Sequence, residues 1–238
     1  MAGSSVAPVV VVTGMAFEAR IARGADVEAV FAARADLLER ALAEALARGA
    51  SGVISFGTAG GLGGDLEPGT VIVADAVDGP FGRMSTDAAW TAQIAASLAA
   101  SSLAPRVRRG TLAAVTAPLV TVAQKAALYR TSGALAVDME SHTAAAMANA
   151  RGLPFAVCRV IVDPAWRSLP PAATAGLRDD GTTALMPILM ELAKAPRQLS
   201  AMIRLAADAR AARASLVDAR RVLGRAFGVG AATGVSGS

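Results

Sequence analysis

Gly52-Val53-Ile54-Ser55-Phe56 runs directly into Gly57-Thr58-Ala59-Gly60-Gly61-Leu62-Gly63-Gly64, and what lies beyond those glycines decides the fold. The first five residues form a short apolar run of the kind that makes a buried strand. A strand ending in glycines invites a dinucleotide site, where the glycines open a helix whose N-terminus meets the pyrophosphate. Here they lead through Pro68-Gly69 into a second β-branched run, Thr70 to Val77, and no G-x-G-x-x-G register fits. The dinucleotide reading fails. Gly57 to Gly64 reads instead as a loop whose bend lets the backbone and the Thr58 hydroxyl approach a ligand. A tight strand-to-strand connection explains glycines here, but not so many.

Outward from this stretch, β-branched runs alternate with Ala/Leu-rich ones. Val9 to Thr13, Val27 to Ala32, Arg108 to Thr116, Leu135 to Val137 and Pro154 to Val162 read as extended. Asp36 to Arg48, Thr86 to Ala100, Val122 to Tyr129, Met139 to Ala150, Gly181 to Leu192 and Leu199 to Leu223 read as helical. The alternation predicts an α/β fold, a three-layer αβα sandwich with a central mixed, mostly parallel sheet. The expected organisation is a catalytic domain over 6–195, a basic amphipathic helix over 196–227 and a disordered Gly/Ser-rich tail over 228–238.

Composition narrows the class. The 238 residues are 54 % hydrophobic, which excludes a chain too polar to bury a core. No apolar run approaches the roughly 20 residues that span a bilayer. Ala7 to Thr13 is apolar but short, and no Lys or Arg precedes it, so a first strand fits better than a signal peptide. Cys158 is the only cysteine and His142 the only histidine, which rules out an internal disulfide and predicts no metal site. A cytoplasmic protein is expected. Between Arg197 and Arg225 seven Arg face only Asp208 and Asp218, a net +5 where the whole chain carries +4. The basic character belongs to the tail, not to the body.

Three carboxylates and one hydroxyl fall at carboxyl ends of predicted strands, where ligands gather in open α/β sheets. Val137-Asp138-Met139-Glu140-Ser141 sits where a strand passes into a helix. Acidic residues there suit helix capping as well as catalysis, and both accounts stand. In Val157-Cys158-Arg159-Val160-Ile161-Val162-Asp163-Pro164 an apolar strand carries Arg159 and delivers Asp163 at its end. A lone buried charge is costly. A structural ion pair explains this Arg, and so does a positioning role beside a site carboxylate; the second is the reading favoured here. Glu18 follows the first strand, where the plain reading is a solvated acid in the first turn of a short helix. Thr58 completes the set. His142, two residues past Glu140 on a helix, faces away from it.

In order along the chain, M-x-x-E (Met15 to Glu18), F-G-T-A-G-G-L, V-D-M-E-S and R-V-I-V-D resemble methylthioadenosine/S-adenosylhomocysteine nucleosidases and purine nucleoside phosphorylases. The resemblance covers roughly residues 8 to 195. The stretch from Asp163 to Ala173, D-P-A-W-R-S-L-P-P-A-A, is similar to the hopanoid-associated phosphorylase branch, whose members are thought to take adenine from adenosylhopane. The resemblance implies cleavage of the bond between ribose and a purine, with adenine the expected base, without a cofactor and with water or inorganic phosphate as co-substrate. It implies that Met139 packs against the ribose and Glu140 accepts hydrogen bonds from the 2′ and 3′ hydroxyls. Asp163 protonates purine N7, Glu18 acts as base on the attacking water, and Thr58 stands beside that water, with Gly60 also at the substrate. Arg159 orients the carboxylates. An acid at N7 must hold its proton far above the roughly 3.9 of a free Asp; burial raises that value and a neighbouring Arg lowers it. Leu169, Pro170 and Pro171 are expected along the 5′ side of the pocket.

Two family features are missing: a glycine in Val30 to Asp36, and a G-D-P-x-R phosphate element. Both absences favour water, leaving Arg20, Arg23 and Arg34 as nearby candidates for a phosphate clamp. The rival readings are a phosphorylase on the same scaffold and a catalytically idle adenosine-binding protein. Relatives are generally dimers or larger, so a homo-oligomer is expected. In the tail, Leu199, Met202, Ala206, Ala209, Leu216, Leu223 and Phe227 follow three-to-four spacing, with Arg204, Arg210, Arg213, Arg220 and Arg221 off that line. That is a helix packed on the body with a solvated basic face, and one suited to peripheral contact with the inner face of an anionic membrane. No nucleic-acid partner is expected, given one Tyr, two Trp and no recognised binding motif.

Overall fold

The computed structural model describes residues 7–229 apart from 176, 177, 179, 183 and 184. Most of the expected tail, from Gly230 onward, and part of the expected Gly181–Leu192 helix lie outside the described residues. The strands are β1 Val9–Thr13, β2 Val27–Phe31, β3 Gly52–Gly61, β4 Val71–Gly79, β5 Gly82–Ser85, β6 Val107–Ala114, β7 Ala136–Asp138 and β8 Phe155–Asp163. The helices are α1 Ala16–Ala22, α2 Ala35–Ala47, α3 Ala88–Ala99, α4 Val122–Ser132, α5 Ser141–Asn149, α6 Pro171–Ala175, α7 Leu185–Lys194 and α8 Leu199–Leu223.

The sheet is mixed and mostly parallel. β1 pairs parallel with β2 and β3, β3 with β8, β4 with β6, and β6 with β7. The antiparallel pairs are β3 with β7, β4 with β5, and β4 with β8. Both faces are covered, which is why β1 reads as an unbroken valine run. Val10 and Val12 pack under α2 and α5, against Leu38, Leu42, Ala144 and Ala148. Val9 and Val11 face the opposite layer with Trp90 and Ile94 of α3 and Leu216 and Leu223 of α8. Three layers result. Among the described residues no helix is long and apolar enough to cross a membrane.

The middle of the sheet corrects one expectation. Gly57 to Gly61 do not form a loop but continue β3, which shifts register against β8 between Ala59 and Gly60 and then pairs with β7 through Gly60 and Gly61. Glycine is a poor strand former, yet here its missing side chain is the requirement. A Cβ on Gly57 would lie 2.8 Å from Glu18 Oε2 and 2.9 Å from Arg159 Nη1. One on Gly61 would crowd Ile161 and the Pro164 backbone. Because β3, β8, β4, β6 and β7 each pair with the next, this part of the sheet closes on itself.

The tail helix is also more selective than its spacing suggests. Its fully buried residues, Ala212, Ser215, Leu216, Ala219 and Leu223, all lie in its second half, while Leu199 and Ile203 stand exposed. Arg220 is not on a solvated face. It donates to the Ala22 carbonyl at 2.8 Å and lies 4.7 Å from the centre of the Phe227 ring. Phe227 is wholly buried edge-on to Phe56, and its carbonyl accepts from Trp90 Nε1 at 2.8 Å. Phe227→Ala removes that ring from a core shared by α3, α8 and β3. It should lower the unfolding free energy by about 3–5 kcal/mol, read as a lower urea midpoint.

Candidate active site

A cleft opens where β1, β2, β3, β7 and β8 end. Its lining includes Met15, Glu18, Thr58, Gly60, Asp138, Met139, Glu140, Arg159 and Asp163. All seven residues singled out from the sequence (Glu18, Thr58, Gly60, Met139, Glu140, Arg159 and Asp163) therefore meet in one place.

Glu18 lies in the first turn of α1, as its position suggests, but it is buried rather than solvated. Its Oε2 accepts from the Gly14 and Met15 amides at 3.1 and 3.0 Å. Its Oε1 accepts from the Thr58 amide at 2.8 Å and the Thr58 hydroxyl at 2.6 Å. These bonds bind the start of α1 to β3 and set Glu18 and Thr58 side by side. Gly181 closes over the same corner, its carbonyl accepting from the Ala16 amide at 3.1 Å.

Arg159 is 1 % exposed. Its Nε lies 2.9 Å from Asp138 Oδ2, and its Nη2 lies 3.0 Å from Glu140 Oε2. The same two nitrogens donate to Ser55 Oγ at 3.1 and 2.6 Å, and Nη1 donates to the Thr58 carbonyl at 3.2 Å. The carboxylates around it hold this guanidinium above its ordinary pKa despite burial. Arg159 pairs with Asp138 and Glu140, and among the described residues no ion pair joins it to Asp163. The two residues are four apart on an extended strand, more than 10 Å along the chain.

The two acids of V-D-M-E-S divide the roles that the sequence left open. Asp138 makes the local contacts, accepting from the Ser141 amide at 3.2 Å and from the Ser141 hydroxyl. Glu140 is left to the cleft. Burial pushes its carboxyl up to about 7, Arg159 opposes that rise, and Asp138 and Glu18 add to it. Its room comes from Gly14, where a Cβ would lie 2.5 Å from Glu140 Oε1.

Asp163 ends β8, buried, with Oδ2 above Gly60; a Cβ there would lie 3.4 Å from that oxygen. Its Oδ1 accepts from Lys125 Nζ at 2.6 Å. Burial raises Asp163 above the usual carboxylate range while Lys125 pulls it down. The opposing cation is thus Lys125 of α4, which sequence reasoning missed, as it missed Ser55 and the roles of Asp138 and Ser141. A buried lysine in a helix with no apolar face leaves little trace in a sequence.

The remaining wall is apolar: Ala33, Val115, Pro118, Leu119, Val162 and Leu169. Leu169 is where it was expected, but Pro170 and Pro171 do not line the cleft, and the contribution of the 115–119 stretch was not foreseen. His142 faces away from Glu140 as expected, buried against the Phe81 ring, and burial lowers its pKa. Cys158 is buried too, its thiol pushed up to about 12 and hence unreactive. Among the described residues no three His, Cys, Asp or Glu side chains are grouped to hold a metal ion.

Arg159 within a cleft lined by Glu18, Glu140 and Asp163, and Lys125 buried behind Asp163, define an acid-rich site held by internal cations. The model of the phosphorylase superfamily matches residues 5–183, so the chain belongs to that superfamily and is an enzyme that cleaves N-glycosyl bonds. Among solved structures it is similar to a putative methylthioadenosine nucleosidase from Weissella paramesenteroides, at 21 % identity and a TM-score of 0.57, covering 66 % of this chain and 88 % of that one. Native futalosine hydrolase of Helicobacter pylori matches at 17 % identity and a TM-score of 0.58, covering 67 % and 88 %. S-adenosylhomocysteine nucleosidase from Streptococcus pyogenes matches at 17 % identity and a TM-score of 0.60, covering 69 % and 86 %. These likenesses establish a shared fold. Among curated proteins none matches the chain in sequence.

Proposed function

We propose that the cleft hydrolyses the N-glycosidic bond of a purine nucleoside, adenine being the base, that carries an apolar 5′ substituent. The observation that carries this reading is the convergence of Glu140 and Asp163 on one cleft from the ends of β7 and β8. Departure of a purine builds positive charge on the sugar and negative charge on the base. Glu140 accepts from the 2′ and 3′ hydroxyls and stabilises the first, with Met139 packed on the ribose. Asp163 gives its proton to N7 and neutralises the second. As the bond between C1′ and N9 breaks, its electron pair stays with the base. Water adds to C1′ and loses a proton to Glu18, with the Thr58 hydroxyl alongside.

Water is favoured over phosphate by how the cations are paired. The cations at the cleft are already paired, Arg159 with Asp138 and Glu140 and Lys125 with Asp163, which leaves neither as a clamp for a phosphate dianion. Arg20, Arg23 and Arg34 do not line it, and Arg34 bonds Asp36 at 2.6 Å. Val115, Pro118, Leu119 and Leu169 suit an apolar 5′ group. Adenosylhopane, in hopanoid synthesis, is the finer proposal, resting on the resemblance of Asp163 to Ala173.

The test is to offer methylthioadenosine, inosine and adenosylhopane with and without phosphate, and to assay free base. Adenine should appear without phosphate, and Asp163→Asn or Glu140→Ala should slow its release by about 100-fold or more. Strict dependence on phosphate would replace hydrolysis with phosphorolysis. No release from any nucleoside would leave only the adenosine-binding reading.

Glu140 adds a pH signature. It accepts from both hydroxyls as a carboxylate, and its carboxyl sits at about 7. KM should therefore fall as pH rises through 7 and level off above it, while Glu140→Gln should flatten that dependence. A wild-type KM that is constant from pH 6 to 8 contradicts the assignment.

We further propose peripheral contact of α8 with an anionic membrane. Leu199 and Ile203 are exposed beside exposed Arg197 and Arg204, an apolar surface edged by positive charge. Cosedimentation with phosphatidylglycerol vesicles should be lost in a Leu199→Glu, Ile203→Glu variant; equal binding by both proteins ends the idea.

A further inference from the structure

Lys125 is fully buried although nothing in its neighbourhood along the chain marks it for the interior. Each ammonium proton has an acceptor. Lys125 Nζ lies 2.6 Å from Asp163 Oδ1, 2.9 Å from the Pro164 carbonyl and 2.9 Å from the Arg167 carbonyl, with the Asp163 carbonyl further off at 3.4 Å. One cation thus gathers the end of β8 and the turn that follows. It also fixes the Asp163 side chain. With Oδ1 held by Lys125, Oδ2 makes no hydrogen bond among the described residues and is the oxygen above Gly60, facing the cleft. Arg167, whose carbonyl Lys125 holds, is itself tied to α8 through Asp208 at 3.0 Å.

We propose that Lys125 is the positioning residue of the proton-donating step: by holding Asp163 Oδ1 it places the transferable proton on Oδ2, and it remains as counter-ion to the carboxylate left behind. This rests on the N-glycosidic reading of the site. In the step itself the Oδ2–H bond breaks and the N7–H bond forms. The electron pair of the C1′–N9 bond passes to the purine, and the negative charge appearing on Asp163 meets the ammonium at 2.6 Å. The same contact opposes the rise that burial imposes on Asp163, and burial in turn lowers Lys125.

The sign of the pH effect follows. Removing the cation lets Asp163 keep its proton to higher pH, so the descending limb of kcat/KM moves upward. Yet the proton is donated less readily, because the carboxylate formed has lost its counter-ion. Lys125→Met should slow adenine release from methylthioadenosine by about 10-fold or more. It should also move the descending limb up by about one pH unit. A substrate whose leaving group departs without protonation, 4-nitrophenyl riboside, should be slowed several-fold less. Lys125→Gln, which retains a donor without the charge, should show the same upward limb and serves if the Met variant does not fold. An unmoved limb overturns the proposal, as does equal slowing of both substrates, which would signify general loss of structure. If wild type turns over neither substrate, the reading of the site fails first and this assignment with it.

Discussion

A guanidinium in the middle of an apolar strand is tolerable only if carboxylates and hydroxyls surround it. Arg159 meets that condition through Asp138, Glu140, Ser55 and the Thr58 carbonyl. These partners come from β7, the start of α5, and β3, so one charge aligns three elements against β8. The dependence is mutual. Without Arg159, two carboxylates would be left buried and uncompensated; without either carboxylate, the cation would lose half of its pairing. The acidity of the cleft and the packing of the central sheet are one electrostatic problem with one solution.

The solution separates the acids by environment. Asp138 is taken up by Arg159 and Ser141, while four donors from the start of α1 and from Thr58 fix the position of Glu18. Glu140 keeps one side toward the cleft, and Asp163 is paired with a different cation altogether. Four carboxylates close together would otherwise repel one another. Here two independent positive charges, Arg159 and Lys125, hold Glu140 and Asp163 to separate partners.

Much of this was legible in the sequence. The valine run of β1 and the apolar spacing of α2 follow from periodicity, and α8 was bounded at Leu199 and Leu223 because its three-to-four pattern is long. How much of that face is buried was not: Leu216 and Leu223 of the apolar line are buried together with Ala212 and Ala219, whereas Leu199, Ala206 and Ala209 of the same line stand exposed. Glycine spacing announced that something approaches closely at residues 57–61, but not that the backbone stays extended. Glu140 and Asp163 were visible because acids at strand ends are few. Lys125 was hidden because its pairing spans 38 residues of chain and its helix has no apolar stripe to mark an inner face.

The closure of β3 onto β7 bears on how a ligand enters. Glu140 and Asp163 sit at the rims of strands belonging to one hydrogen-bonded ring, so no hinge separates the acid proposed to grip the sugar from the acid proposed to release the base. Their spacing is thus set before anything binds. Admission of a guest falls to the parts of the wall outside that ring, Pro118, Leu119 and Leu169, and the scaffold behind them behaves as a fixed anvil.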